Sequence, residues 1–246
     1  MALAAPEQIA AVSRWARRED MSYLAARAQT IPAIRGLAEE VLVLKPDLVL
    51  AGTFSGTATR AVLRAQGLRV ESFAPPRTLA EAKAEIVRAG ALLGRDREAA
   101  ALLADIDRAG AAPVAGGSKP IAALALQRRG FTAGSDTLLS DLMQRAGLAN
   151  AADRLGIRSV GRATLEAILK ARPDALITDD LSRGATDQGS ALLRHPALVR
   201  AVPPERWITV PAVFTTCAGP SLAAVAQRLA EGAARVRAGG SAMRQP

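Results

Sequence analysis

A chain of 246 residues, half of them apolar, is long enough to bury one large core or two small ones; its +9 formal charge is spread along the chain with no dense basic run interleaved with aromatics, so nucleic acid is not an expected partner. The apolar residues come in short runs broken by Arg, Asp, Gly and Pro, which excludes a stretch of the roughly 20 apolar residues that crosses a bilayer. One cysteine, Cys217, and one histidine, His195, exclude an internal disulfide, a multi-cysteine metal site and a histidine zinc cluster, and leave a Ser-His-Asp arrangement only if His195 serves it.

In chain order, Leu3–Val12 ends in an apolar run that predicts a short strand, and Ser13–Asp20 is a polar loop around Trp15. A helix over Ser22–Ala28 follows, then punctuation at Pro32 and Gly36. The next helix, Leu37–Leu44, stops at Lys45-Pro46 because proline lacks a donor and restricts the residue before it. Leu48–Ala51 is a strand running into the loop Gly52-Thr53-Phe54-Ser55-Gly56. A helix over Thr57–Gln66, closed by Gly67, leads to a strand at Leu68–Phe73. Thr78 to Arg108 reads as two consecutive Ala-rich helices separated near Gly94, and Ala109–Pro120 as a linker.

Beyond the linker the strand-loop-helix style resumes: a strand at Ile121–Gln127, a loop at Arg128–Asp136 and a helix at Thr137–Ala146. Thr164–Leu169 predicts a helix, Ala175–Thr178 a strand, Leu192–Val199 a short helix, Trp207–Val210 a strand and Pro220–Arg237 the terminal helix. Such alternation favours parallel sheets with helices on their faces.

One unit occurs twice. The segment from Glu39 through Lys45-Pro46-Asp47 to Leu50 aligns without gaps on the segment from Glu166 through Arg172-Pro173-Asp174 to Ile177. Each copy is a glutamate, a short helix, and Pro-Asp leading into an apolar strand, so the chain is expected to build two similar lobes on either side of the helical segment. Glu39 and Glu166 fall in the first turn of their helices, where the dipole favours an anion. They are either caps or a pair of exposed carboxylates, one per lobe, able to grip basic side chains on a partner.

Ile31–Thr53, its echo at Glu166–Asp180, the Gly130-Phe131-Thr132-Ala133-Gly134 loop, Leu142–Asn150 read as a helix ending in an Ala-Gly-x-x-Asn turn, and Phe214–Pro220 closely resemble the helical-backbone (class III) family of ABC-importer solute-binding proteins. That family includes ferric-siderophore, haem and cobalamin binders. The resemblance runs from the first residues to about Leu229 and implies an α/β fold of two Rossmann-like lobes with parallel sheets, joined by a helical backbone. The implied division is an N-terminal lobe at 1–77, a helical connection at 78–112 and a C-terminal lobe at 113–246. It also implies a monomer with no catalytic activity and no intrinsic cofactor, placed in the periplasm, that delivers an iron chelate or corrinoid to an ABC permease in the inner membrane.

Carried over by position, the resemblance places Trp15, Thr53, Phe54, Phe131 and Phe214 on cleft loops, with Glu39 and Glu166 as the pair that meets permease arginines. Each aromatic is alternatively a core residue. Arg14, Arg17, Arg162 and Arg183 are candidates for contacting an anionic chelate and alternatively plain surface charges; Arg183 is taken into the ligand set. A ferric siderophore is the expected ligand, with haem or cobalamin as alternatives. Tyr23 and His195 are the only Tyr and His able to meet a haem iron, and neither falls on a matched cleft loop.

Two departures stand out. Residues Met1–Asp20 show no export signal, and Met1 enters in the middle of the helix that follows the family's first strand, so an upstream start is expected. The joining segment also looks short for a rigid spine. A non-transport protein or enzyme derived from the two-lobed fold is the alternative function. A nucleotide enzyme is poorly supplied, because Gly52–Gly56 matches neither phosphate-loop pattern.

Overall fold

In the computed structural model, which describes residues 1–54, 56–110, 119–179 and 187–242, the chain opens with a 3-10 turn at Pro6–Gln8 and strand β1, Val12–Ser13. Helix α1 (Ala25–Ala28), β2 (Ala33–Ile34), α2 (Ala38–Leu44), β3 (Leu48–Gly52), α3 (Thr57–Ala65) and β4 (Arg69–Phe73) complete the N-terminal lobe. Two long helices follow, α4 (Leu79–Leu93) and α5 (Asp96–Gly110). The C-terminal lobe contains β5 (Ile121–Ala125), β6 (Phe131–Ala133), α6 (Leu138–Arg145), β7 (Leu148–Asn150), β8 (Val160–Arg162), α7 (Leu165–Ala171) and β9 (Ala175–Thr178). It continues with α8 (Pro196–Ala201), β10 (Trp207–Thr209), α9 (Ala212–Thr215) and α10 (Ser221–Ala242). No helix among the described residues is long and apolar enough to cross a membrane.

The repeated unit folds the same way twice. Lys45 and Arg172 end α2 and α7 in the left-handed conformation, at φ 46° and 47°, and each hands the chain to a Pro-Asp turn and a strand. The sheets differ. In the C-terminal lobe four parallel strands run in the order β10-β9-β5-β7, with an antiparallel β6-β8 pair beside them. The N-terminal lobe holds two separate parallel pairs, β1-β2 and β3-β4.

Burial follows the same division. All of β5 is buried, and the large core gathers Ala123 and Ile177 of the sheet, Leu229 of α10, and Ile86 and Ile106 of α4 and α5. The core of the N-terminal lobe is Val41, Leu63 and Val70 with half-buried neighbours. The helical segment is therefore packed as part of the C-terminal lobe. It meets the N-terminal lobe through Arg88, whose guanidinium donates to Glu71 at 2.8 Å and to the Ser72 carbonyl at 3.0 Å and lies over the Phe73 ring.

Most expected elements are present, with four corrections. The apolar run before Val12 yields only the two-residue β1, because Pro6–Gln8 closes a 3-10 turn first. The helix over Thr137–Ala146 ends as expected at Gly147, left-handed at φ 74°, but the Ala-Gly-x-x-Asn turn read after it is instead the strand β7, with Leu148 and Asn150 buried. The helix at Leu192–Val199 splits at His195-Pro196 into a 3-10 turn and α8. The joining segment is helical for nearly its whole length, turning once at Gly94, and α4 and α5 cross so closely that a Cβ on Gly90 would sit 2.6 Å from that of Ala99.

Candidate ligand-binding site

The candidate residues stand on segments that leave strands or short turns. Ser13 Oγ accepts the Trp15 N–H and starts the 3-10 turn Arg14–Arg17. The exposed Trp15 ring is flanked by the guanidinium carbons of Arg14 at 4.7 Å and Arg18 at 5.5 Å, and Arg18 is in turn paired with Asp20. Arg17 points elsewhere: it bonds the carbonyls of Ala28 and Ile31, so it holds the loop together instead of waiting for a ligand.

At the end of β3, Thr53 is fixed by its backbone. Its N–H donates to Phe73 O at 2.9 Å and its carbonyl accepts from Arg60 at 2.7 Å. Phe54 beside it is 88% exposed, an apolar ring with almost no cover from the chain itself. Phe131 opens β6 and is also exposed; register pairs it with Arg162 across β8, which sets the Arg162 guanidinium 4.9 Å above its ring. Each lobe thus presents an aromatic ring carrying an arginine.

Phe214 lies on α9, held by its N–H to the Pro211 carbonyl and partly packed on the large core. Its ring meets Tyr23, at a centroid distance of 5.4 Å and an interplanar angle of 77°. The contact crosses from one lobe to the other. Tyr23 is 44% exposed, and its phenol oxygen has no hydrogen-bond partner among the described residues. Trp15, Phe54 and Phe131 make no ring contact with one another or with Phe214 among the described residues. Arg183 lies outside the described residues.

Glu39 and Glu166 are the second residues of α2 and α7, and both are exposed. Capping at these helix starts is carried by neighbours. Glu40 accepts the N–H groups of Arg35, Gly36 and Leu37, and Thr164 Oγ1 accepts from Ala167. The Glu166 carboxyl is held below its usual range by its own backbone N–H and the Thr164 hydroxyl, with His195 adding a smaller pull. Both carboxylates lie at the surface, Glu166 with the Thr164 hydroxyl beside it.

Among the described residues no group of three His, Cys, Asp or Glu side chains could hold a metal ion, and Cys217, though exposed at the surface, has its thiol pushed up by partial desolvation. A shallow recess of about 610 Å³ lies between α10 and β10, lined by Arg228, Glu231 and Arg235; none of the candidate aromatics borders it.

The family model described as periplasmic binding protein matches residues 1–213. No curated protein matches the chain. Among solved structures, the chain is similar to the apo form of the periplasmic haem-binding protein RhuT from Roseiflexus sp. RS-1, at 27% identity over 94% of this chain and 93% of that one, with a TM-score of 0.74. It is similar to the periplasmic haem-binding protein BhuT in complex with two haems, at 27% identity over 85% of each chain and a TM-score of 0.67. The fold is shared with the periplasmic haem-binding protein HutB of Vibrio cholerae, at 20% identity over 92% of this chain and 91% of that one, with a TM-score of 0.75. Proteins of this family are periplasmic and carry a small-molecule ligand to an ABC permease. With two lobes of parallel strands joined by α4 and α5, the chain belongs to the periplasmic binding protein family, in its helical-backbone class of ABC-importer solute-binding proteins, and is a transport protein, not an enzyme.

Proposed function

We propose that the ligand is a haem-type iron chelate, held between the lobes and delivered to an inner-membrane ABC permease. The observation that carries this reading is the Tyr23–Phe214 contact: an exposed phenol with no hydrogen-bond partner among the described residues, set beside an aromatic ring of the other lobe. A phenolate is a known ligand for haem iron, whereas a siderophore already saturates its ferric ion. Arg14 and Arg162, each held over an aromatic ring on a different lobe, supply positive charge for the carboxylates of a tetrapyrrole. The two similar proteins at 27% identity, RhuT and BhuT, are haem-binding, which favours haem over the ferric siderophore expected from sequence.

In this reading Trp15, Thr53, Phe54, Phe131 and Phe214 line the ligand, with Arg183 in the same set, and Glu39 and Glu166 contact permease arginines. The protein acts in the periplasm as a monomer, with lobes at 1–77 and 113–246 and the helical connection at 78–112. The test is titration of the purified protein with haem, a ferric hydroxamate, a ferric catecholate and cobalamin, following tryptophan quenching and, for haem, the Soret band. Haem is expected to bind at least tenfold more tightly than the others, and Tyr23→Phe to shift the Soret maximum and weaken binding. A siderophore preferred over haem, or an unchanged spectrum in Tyr23→Phe, overturns the reading.

A further inference from the structure

We propose that the C-terminal lobe binds an anionic phospholipid bilayer through the end at which its parallel strands begin, with Lys119, Lys170, Arg172, Arg200 and Arg206 as the contact. The topology gathers these residues. Strands β10, β9, β5 and β7 are parallel and adjacent in that order, so all four begin at one end of the sheet. Arg206 immediately precedes β10, Arg172 stands three residues before β9, and Lys119 two before β5. Neighbouring strands lie about 4.8 Å apart, so each of these entrances is within a Debye length of the next, about 8 Å at physiological salt. Helices α7 and α8 cover one face of the sheet, Ile168 and Leu198 sharing a core with Leu124 and Leu176, and both return the chain to that same end. Lys170 falls in the last turn of α7 and Arg200 in the last turn of α8. The Trp207 indole donates to the Val202 carbonyl at 2.7 Å, which fixes the end of α8 beside the start of β10.

Basic residues at helix C-termini often do no more than offset the helix dipole. Here other arginines satisfy the backbone. Arg154 donates to the carbonyls of Ala171 at 2.6 Å and Arg172 at 3.2 Å, closing α7. Arg235 and Arg237 donate to the carbonyls of Trp207 at 2.7 Å and Gly147 at 3.0 Å, at the entrances of β10 and β7. The charged heads of Lys119, Lys170, Arg172, Arg200 and Arg206 have no hydrogen bond or ion pair among the described residues; Arg206 is half-buried and the other four are exposed. Two carboxylates, Asp174 and Glu205, stand among them in sequence, and Asp174 accepts the Ala122 N–H at 2.9 Å, so this end carries an excess of positive charge. The N-terminal lobe lacks that excess: Lys45 stands where Arg172 does, and Arg69, which opens β4, is paired with Glu71 at 3.2 Å.

The chemistry of the partner follows from the missing apolar centre. A protein interface is organised around buried aromatic or aliphatic anchors. The large exposed apolar side chains of the described C-terminal lobe are Phe131 and Val160, both on the β6-β8 pair beyond the far end of β5. A row of separate cations without an anchor suits a surface of dispersed negative charge such as phospholipid headgroups, where each Lys or Arg adds attraction without a matched pocket. Glu166 opens α7 and Arg172 follows its last residue, so with Glu166 as the permease contact, lipid-bound molecules are undocked ones whose ligand loops face away from the bilayer.

The test is co-sedimentation of the whole chain with vesicles of phosphatidylcholine alone or with about 30% phosphatidylglycerol, at about 0.1 M salt. Binding should be at least about tenfold tighter to the anionic vesicles and should fade as salt is raised. The triple variant Arg172→Glu, Arg200→Glu, Arg206→Glu should lose the preference. The milder Arg172→Gln, Arg200→Gln, Arg206→Gln should weaken it at an unchanged melting temperature, which separates lost contact from lost fold. Arg77→Glu, Arg97→Glu, Arg108→Glu makes the same change of net charge around α4 and α5 and should bind within about threefold of wild type. On vesicles, amide exchange should slow over 170–174 and 200–206 and stay unchanged at Trp15 and Phe131. The inference is overturned if neutral and anionic vesicles bind alike, if the two Glu triples weaken binding equally so that net charge alone acts, or if protection falls on the Trp15 and Phe131 loops instead.

Discussion

The Tyr23 and Phe214 rings meet edge to face, 5.4 Å between centroids, and by doing so join the two lobes at the candidate ligand site. An edge-to-face pair is worth about 0.5–1.5 kcal/mol beyond its buried area. Phe214→Ala is therefore expected to lower thermal stability modestly and to cost about 2 kcal/mol in haem affinity, as truncation of a well-buried binding contact does. Tyr23→Phe keeps the ring contact, so its melting temperature should stay at the wild-type value while haem binding weakens. Melting curves and haem titrations of the two variants separate the roles; retained wild-type affinity in Phe214→Ala and Phe131→Ala would sink the aromatic cradle.

Glu39 and Glu166 occupy equivalent positions on α2 and α7, and neither helix depends on them for its main cap. The double variant Glu39→Lys, Glu166→Lys should bind ligand within about threefold of wild type, roughly 0.6 kcal/mol, while losing measurable association with the permease. Undiminished uptake by the double variant would reject the pairing, and unfolding of either single variant would return both residues to a capping role.

Much of this arrangement is legible in the sequence because it rests on local signals. Pro46 and Pro173 end helices wherever they stand, and the repeated glutamates need only a first turn to be exposed. What escaped depends on contacts distant in sequence. β7 is a strand because β5 lies beside it, and Tyr23 meets an aromatic ring of the other lobe because α9 brings Phe214 to it. Arg17 shows the opposite failure, since a surface-like arginine is used to bond the Ala28 and Ile31 carbonyls.

The tie between β4 and α4 should be sensitive to acid. The Arg88 guanidinium, and then Arg69, hold the Glu71 carboxyl below its usual value of 4.5. A carboxylate depressed in the folded state contributes its stabilisation above the unfolded value, and that contribution is lost as pH falls through the lower folded value. Glu71→Gln should therefore lower the melting temperature at pH 7, with the difference from wild type shrinking below about pH 4.5 and vanishing in stronger acid. A difference that persists unchanged at pH 3 would show that packing of Arg88 over Phe73, not the ion pair, makes the joint.

Gly130 governs the placement of Phe131. It sits at φ 74°, its carbonyl accepts the Ala163 N–H at 2.9 Å, and a Cβ added there would lie 2.5 Å from the Ala163 carbonyl oxygen. Alanine at this position meets both a left-handed backbone and a clash with main chain that cannot rotate away, so β6 must part from β8 and carry the Phe131–Arg162 pair with it. Gly156 provides the comparison, because it is left-handed at φ 68° with nothing within 4 Å of an added Cβ. Gly156→Ala should cost about 1 kcal/mol for the backbone alone. Gly130→Ala should cost about 1–3 kcal/mol more, the range for forcing atoms into a packed site, and should also weaken ligand binding. Melting temperatures and haem affinities of the two variants decide the matter: equal destabilisation with unchanged affinity in both would mean that the β6-β8 pair does not position Phe131 for the ligand.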